Sequence, residues 1–130
     1  MTFFLHLLKK HWLIVTIIIL LPVTVLSLYL FGNLIQIPGT DKTRHFIAYA
    51  VLSFPIALAK PKHIYLILIG LFAYSGILEL IQPLVNRQSE LLDLVANGVG
   101  ILTGSLAAYL INLLLIYLNK TPNIIKSTKQ

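Results

Sequence analysis

The stretch Asp41–Ala59 reads DKTRHFIAYAVLSFPIALA and changes character part-way along. Its first five residues are all polar or charged, and the fourteen that follow carry no charge. Strongly apolar sequence flanks it on both sides. A charged cluster at the head of a hydrophobic stem is either an anchor at a membrane surface or one part of a site, and the rest of the chain bears on which.

Of the 130 residues, 58% are hydrophobic and 11% charged, with a mean hydropathy of +0.90. A soluble domain of this length could not cover its surface with so few charges, so lipid is the expected solvent. There is no cysteine, which excludes disulfides, thiolate metal sites and cysteine nucleophiles. The net charge of +6 does not point to nucleic acid. The basic residues stand at the ends of apolar runs, and no contiguous basic face is left to follow phosphates.

Outward from residues 41–59, the run Trp12–Phe31 is twenty residues without a charge, enough to cross a hydrocarbon core of about 30 Å. It is longer than the apolar core of a signal peptide and no A-x-A-like cleavage site follows, so it reads as a retained first span, with a kink expected at Pro22. The second span runs from about Thr43 to Ala59, and KPKH (Lys60–His63) forms a tight connection. The third covers His63 to about Gln82, stopping before Pro83. After the loop NRQSE (Asn86–Glu90), a fourth runs from Leu91 to about Leu118. The expected fold is therefore all-α, a polytopic four-transmembrane-helix bundle over residues 12–118, with an N-terminal segment (1–11) and a polar tail (119–130) that frays at least in its last residues.

Four spans place Lys9, Lys10, Lys60, Lys62, Lys120, Lys126 and Lys129 on one side, against Lys42, Arg44 and Arg87 on the other. Seven against three predicts that both termini are cytoplasmic. The four acids, Asp41, Glu79, Glu90 and Asp93, all fall toward the opposite, extracytoplasmic ends. At 1.5 Å per residue Asp41 lies about 27 Å from Ala59, with His45 about 6 Å deeper and Tyr49 a turn deeper still. Asp41, His45 and Tyr49 share a helix face at i, i+4, i+8, and Glu79 and Gln82 are i, i+3 neighbours. Asp93, Asn97, Gly100 and Gly104 form a stripe that overlaps the small-residue repeat Ala96, Gly100, Gly104, Ala108. Small residues let a partner backbone approach, so this stripe faces inward and aims the polar residues into the bundle. Trp12 and Tyr29 read as interface anchors, and His6, His11 and His63 as interfacial or solvated.

DKTRHFIAY resembles the D-K-x-x-H-F-x-x-Y signature of VanZ-like bacterial membrane proteins. Glu79, Gln82, Arg87, Asp93, Asn97, Gly100 and Gly104 fall in the order of that family's second signature, E-x-x-Q, R, D-x-x-x-N-x-x-G-x-x-x-G. The match covers roughly Asp41–Gly104, about half the chain. Asn86 departs from it, standing where a glycine commonly precedes the arginine, and the loop between Gln82 and Arg87 is short. The resemblance implies a small multi-pass protein of the bacterial inner (plasma) membrane, in a cell-envelope context of glycopeptide (teicoplanin) resistance. It supplies a context and no reaction.

Asp41, Lys42, His45, Tyr49, Glu79, Gln82, Arg87, Asp93 and Asn97 are thus the candidate polar site, and Gly100 and Gly104 the packing positions. Such a cluster is either a network that fixes helix register or a site facing the outer leaflet, and the two roles are compatible. No metal or other cofactor is expected: His45 with Asp41, Glu79 or Asp93 offers nitrogen and oxygen ligands, but it is a single histidine, and Lys42, Arg44 and Arg87 compete for the carboxylates. No serine-nucleophile motif, phosphate loop or zinc-protease motif is present. The first expectation is a non-enzymatic envelope protein that contacts membrane lipid and binds a lipid-linked or glycopeptide ligand. The alternative is a membrane-embedded enzyme acting on an envelope lipid or its head group by carboxylate and histidine acid–base chemistry. A transporter ranks last, because the polar residues gather at one end and not at the midplane.

Overall fold

The computed structural model describes residues 2–30, 40–86 and 88–127. Arg87, Lys129 and the end of the first expected span at Phe31 lie outside these residues, as do the side chains of Tyr29, Lys120 and Lys126. Every described element is helical: α1 (Thr2–Lys10), α2 (Trp12–Val25) passing into a π-helical turn (Leu26–Leu30), α3 (Thr40–Ala59), α4 (Ile64–Ile81) ending in a 3₁₀ turn (Gln82–Val85), and α5 (Leu91–Ser127).

Among these, Ile64–Val85 and Leu91–Asn119 are long and apolar enough to cross a membrane. A third candidate arises if Phe3–Lys10 and Trp12–Leu28, bent by 79° at their junction, count as one span. α3 is not among them; its first turns hold Asp41, Lys42, Arg44 and His45. Its position offsets that polarity. α3 touches α1, α2, α4 and α5, and its most extensive interface is with α5.

The sequence set the N-terminal eleven residues apart from the bundle. Thr2–Lys10 instead folds as α1, whose Leu5 and Leu8 pack on Ala57, Leu58 and Ala108 while Phe3 and Phe4 stay exposed. α2 continues through Pro22, where the kink is expected, and passes one turn later into the wider π-helical turn Leu26–Leu30. A proline removes an intrahelical donor and crowds the preceding turn, and a widened turn absorbs the misfit without a break. Of the 119–130 tail, residues up to Ser127 belong to α5, and the last three, where fraying is expected, lie outside the described residues. At 1.5 Å per residue the 37 residues of α5 extend about 55 Å, well beyond one bilayer core.

The KPKH connection is as tight as expected. Lys60 closes α3 in the left-handed region (φ 51), and its ammonium lies 5.4 Å from the centre of the Tyr109 ring. The core centres on Tyr49, Leu52, Ile56, Leu71 and Ile101, with Trp12 packed against its margin. Thr24 on α2 hydrogen-bonds Tyr74 on α4 at 2.7 Å. Polar residues lie inside and large apolar ones such as Leu66, Ile69, Leu80 and Leu102 outside. That inversion is stable where the surrounding solvent is hydrocarbon.

Gly100 and Gly104 set the α3–α5 spacing. A Cβ at Gly100 would overlap the Phe46 carbonyl oxygen, and one at Gly104 the Ala50 carbonyl and the Ser53 hydroxyl. Only a bare backbone lets the two helices come this close, and the inward face read from the stripe is the face observed.

Candidate polar site at the acidic end of the bundle

Because α3 and α5 run antiparallel to α4, the start of α3, the end of α4 and the start of α5 meet at one end. α3 contributes Asp41, His45 and Tyr49, α4 with its 3₁₀ turn Glu79 and Gln82, and α5 Asp93 and Asn97. Asp93 is 2% exposed, Asn97 0%, Gln82 1%, Glu79 6% and His45 7%. Asp41 and Lys42 are half-buried at the rim. Tyr49 is buried one turn below His45 and belongs to the apolar core as much as to the polar cluster.

His45 is the hub. Its Nδ1 lies 2.9 Å from Asn97 Oδ1 and 3.6 Å from Glu79 Oε1. Both neighbours are oxygens, so Nδ1 carries a proton and donates it toward them. One nitrogen of His45 and one carboxylate oxygen each from Asp41 and Asp93 also lie within 4.8 Å of one another. Each aspartate sits in the first turn of its helix, where unpaired N–H groups and the helix dipole favour negative charge.

The satisfaction of this cluster is incomplete. Among the described residues, both amide atoms of Gln82, Asp93 Oδ1 and Asn97 Nδ2 are buried without a hydrogen-bond partner. Each such atom costs about 1–3 kcal/mol relative to a solvated one. Lys42 is directed elsewhere: its ammonium pairs with Glu90 Oε2 at 2.6 Å across the outside of the cluster, and that hydrogen bond raises the lysine pKa above its ordinary value.

A cleft of about 290 Å³ opens between α3 and the end of α2, with Asp41, His45 and Tyr49 on one wall and Leu26 and Ser27 of the π turn on the other. Arg44 also lines it. Arg44, Leu26 and Ser27 were not singled out as site residues from the sequence; Arg44 stands inside the quoted polar stretch, and its exposure on the cleft side was the missing information. A second omission is Asn112. It is buried and donates through Nδ2 to the Leu58 carbonyl at 3.1 Å, satisfying one of the open carbonyls at the end of α3. Asn112 follows Ala108 by four residues on the inward stripe, so a signal for it existed. The remaining candidate, Arg87, lies outside the described residues.

The fold and site together define an all-helical, apolar-surfaced protein with at least two helices able to cross a membrane and an ionisable cluster buried at one end. Comparison with family models, with curated proteins and with solved structures finds no match to this chain.

Proposed function

We propose that this chain is a VanZ-like integral membrane protein of the bacterial envelope, with four spans and cytoplasmic termini, whose acidic-end cleft binds a polar head group of a lipid-linked or glycopeptide ligand at the outer face. The observation that carries this reading is the cluster itself. Gln82, Asp93 and Asn97 are buried with unpartnered polar atoms, and His45, which contacts Asn97, lines the cleft together with Asp41. Polar groups held in an apolar bundle at that cost are functional candidates, because a ligand with complementary polar atoms recovers the deficit.

Two further features support the family and topology. Asn86, the departure from the VanZ-like pattern, adopts φ 58 and closes the 3₁₀ turn in the left-handed region. This is the conformation that suits glycine, and asparagine tolerates it better than other side chains. At the opposite end, Lys9 and Lys60 line a groove together with Asn112 and Asn119, away from the end that holds the four acids. α3 counts as the fourth span here because its neighbours shield its charged first turns. α1, bent away from α2 with exposed Phe3 and Phe4 ahead of Lys9 and Lys10, then lies along the cytoplasmic interface.

Conservative variants test the site. Asp93→Asn, Glu79→Gln and His45→Gln are scored for membrane abundance, thermal stability in detergent and glycopeptide sensitivity. Loss of the phenotype at normal abundance and stability supports binding. Loss strictly proportional to abundance makes the cluster architectural and removes the proposal. The enzymatic alternative is favoured by one feature, the placement of His45 beside Glu79, Asp41 and Asp93. It requires an altered lipid species in envelope extracts, present with the native protein and absent with His45→Gln.

A further inference from the structure

We propose that Asp41, His45 and Asp93 bind a single divalent transition-metal ion of the zinc or manganese class. The three donors come from the first turns of α3 and α5, and all lie within 4.8 Å of one another. Two ligands at about 2.1 Å from a tetrahedral ion are about 3.4 Å apart, so the widest pair needs to close by about 1.4 Å at most, within the reach of side-chain rotation. One imidazole nitrogen with two carboxylate oxygens suits zinc or manganese; magnesium and calcium prefer an all-oxygen shell.

The independent observation is Asp93, which is 2% exposed and whose Oδ1 has no hydrogen-bond partner among the described residues. The surroundings of His45 point the same way. Its Nδ1 faces Asn97 Oδ1 and Glu79, an arrangement that holds the ring in place, as outer-shell partners of metal-bound histidines do. The sequence argued against a metal because it offers a single histidine there and Lys42, Arg44 and Arg87 compete for the carboxylates. In the structure Lys42 is drawn to Glu90, outside the set, which removes one of these competitors.

The ion site and the head-group reading concern the same cluster but stand on separate observations and fail separately. The full-length protein in detergent micelles is stripped with chelator, dialysed and titrated calorimetrically with Zn²⁺, Mn²⁺ and Mg²⁺ and no lipid ligand. The expected result is one Zn²⁺ or Mn²⁺ per chain with much weaker Mg²⁺ binding, and a loss of at least about tenfold in affinity in both His45→Gln and Asp93→Asn. Helicity and monodispersity are checked in parallel; if Asp93→Asn does not fold, Asp41→Asn at the half-exposed rim takes its place. A variant with His6→Gln, His11→Gln and His63→Gln together should bind as the native chain does. The proposal is overturned if the native protein binds no stoichiometric ion, if binding survives the ligand substitutions, or if it disappears with the three exposed histidines. None of these results bears on glycopeptide sensitivity, and an unchanged phenotype in the cellular assay leaves the titration standing.

Discussion

At the scale of single residues the decisive arrangement is His45 among carboxylate and amide oxygens, and its parts differ in how far the sequence shows them. The i, i+4, i+8 spacing of Asp41, His45 and Tyr49 was legible, because helical periodicity fixes a face before any partner is known. That His45 meets Asn97 and Glu79 was not, because it depends on the rotation of three helices about their axes. Asn112 makes a clean test at this scale. Asn112→Leu preserves apolar packing but strands the buried Leu58 carbonyl, and should cost about 1–3 kcal/mol, read as a lower unfolding midpoint in detergent. Because Asn112 lies at the end away from His45, the glycopeptide phenotype per folded molecule should be unchanged. The Lys42–Glu90 pair has a pH signature of known sign. A raised lysine pKa in the folded state means its contribution is intact below the ordinary lysine range and fades as pH rises through the folded value. Glu90→Gln should therefore differ from the native protein at neutral pH and converge with it in strong alkali.

At the scale of elements, the α3–α5 contact sets the geometry of everything else. Gly100→Leu or Gly104→Leu should disrupt assembly outright, since even a methyl group at either position overlaps the α3 backbone. Gly100→Ala is the graded form, expected to lose about 1–3 kcal/mol from overpacking. Gly70 is the internal control: a Cβ there meets nothing within 4 Å, so Gly70→Ala should stabilise α4 by about 0.5–1 kcal/mol through helix propensity. Leu113→Ile on the exposed face of α5 should change little. Opposite signs at two glycines of neighbouring helices, measured by thermal unfolding, would verify the inward-face assignment. The glycine stripe was readable because small residues every four positions along an apolar helix mark where a second backbone comes close. α1 was not singled out, although its nine residues are amphipathic, because the segment is short and the lysines at its end read as a membrane flank. The π turn was equally hidden: Pro22 marks a disturbance, but the next turn packs against α4 and its 3₁₀ turn, which lie far off in sequence.

At the scale of the molecule, the hydrophobic runs and the positions of lysine and acid announce a membrane protein, and the four-span count is the part that length and apolarity leave unsupported, for α3 and for α2 taken without α1. The proposed topology is tested by reporter fusions at Gln130 and in the 86–89 loop, which should report opposite compartments. A Gln130 fusion on the outer side would move the acidic cleft to the cytoplasm and remove the envelope-ligand reading. The widened turn at Leu26–Leu30 has a consequence of its own. It accommodates surplus backbone in one wall of the cleft, while the polar groups stand on the other wall and the α3–α5 spine lies behind them. Deleting one residue from this turn should let it rewind as an ordinary helix at small cost, whereas a deletion inside α5 would rotate Asp93 and Asn97 off their face. The cleft can thus be resized by gain or loss of a single codon with the polar residues untouched, so ligand size and site chemistry are free to evolve on separate walls.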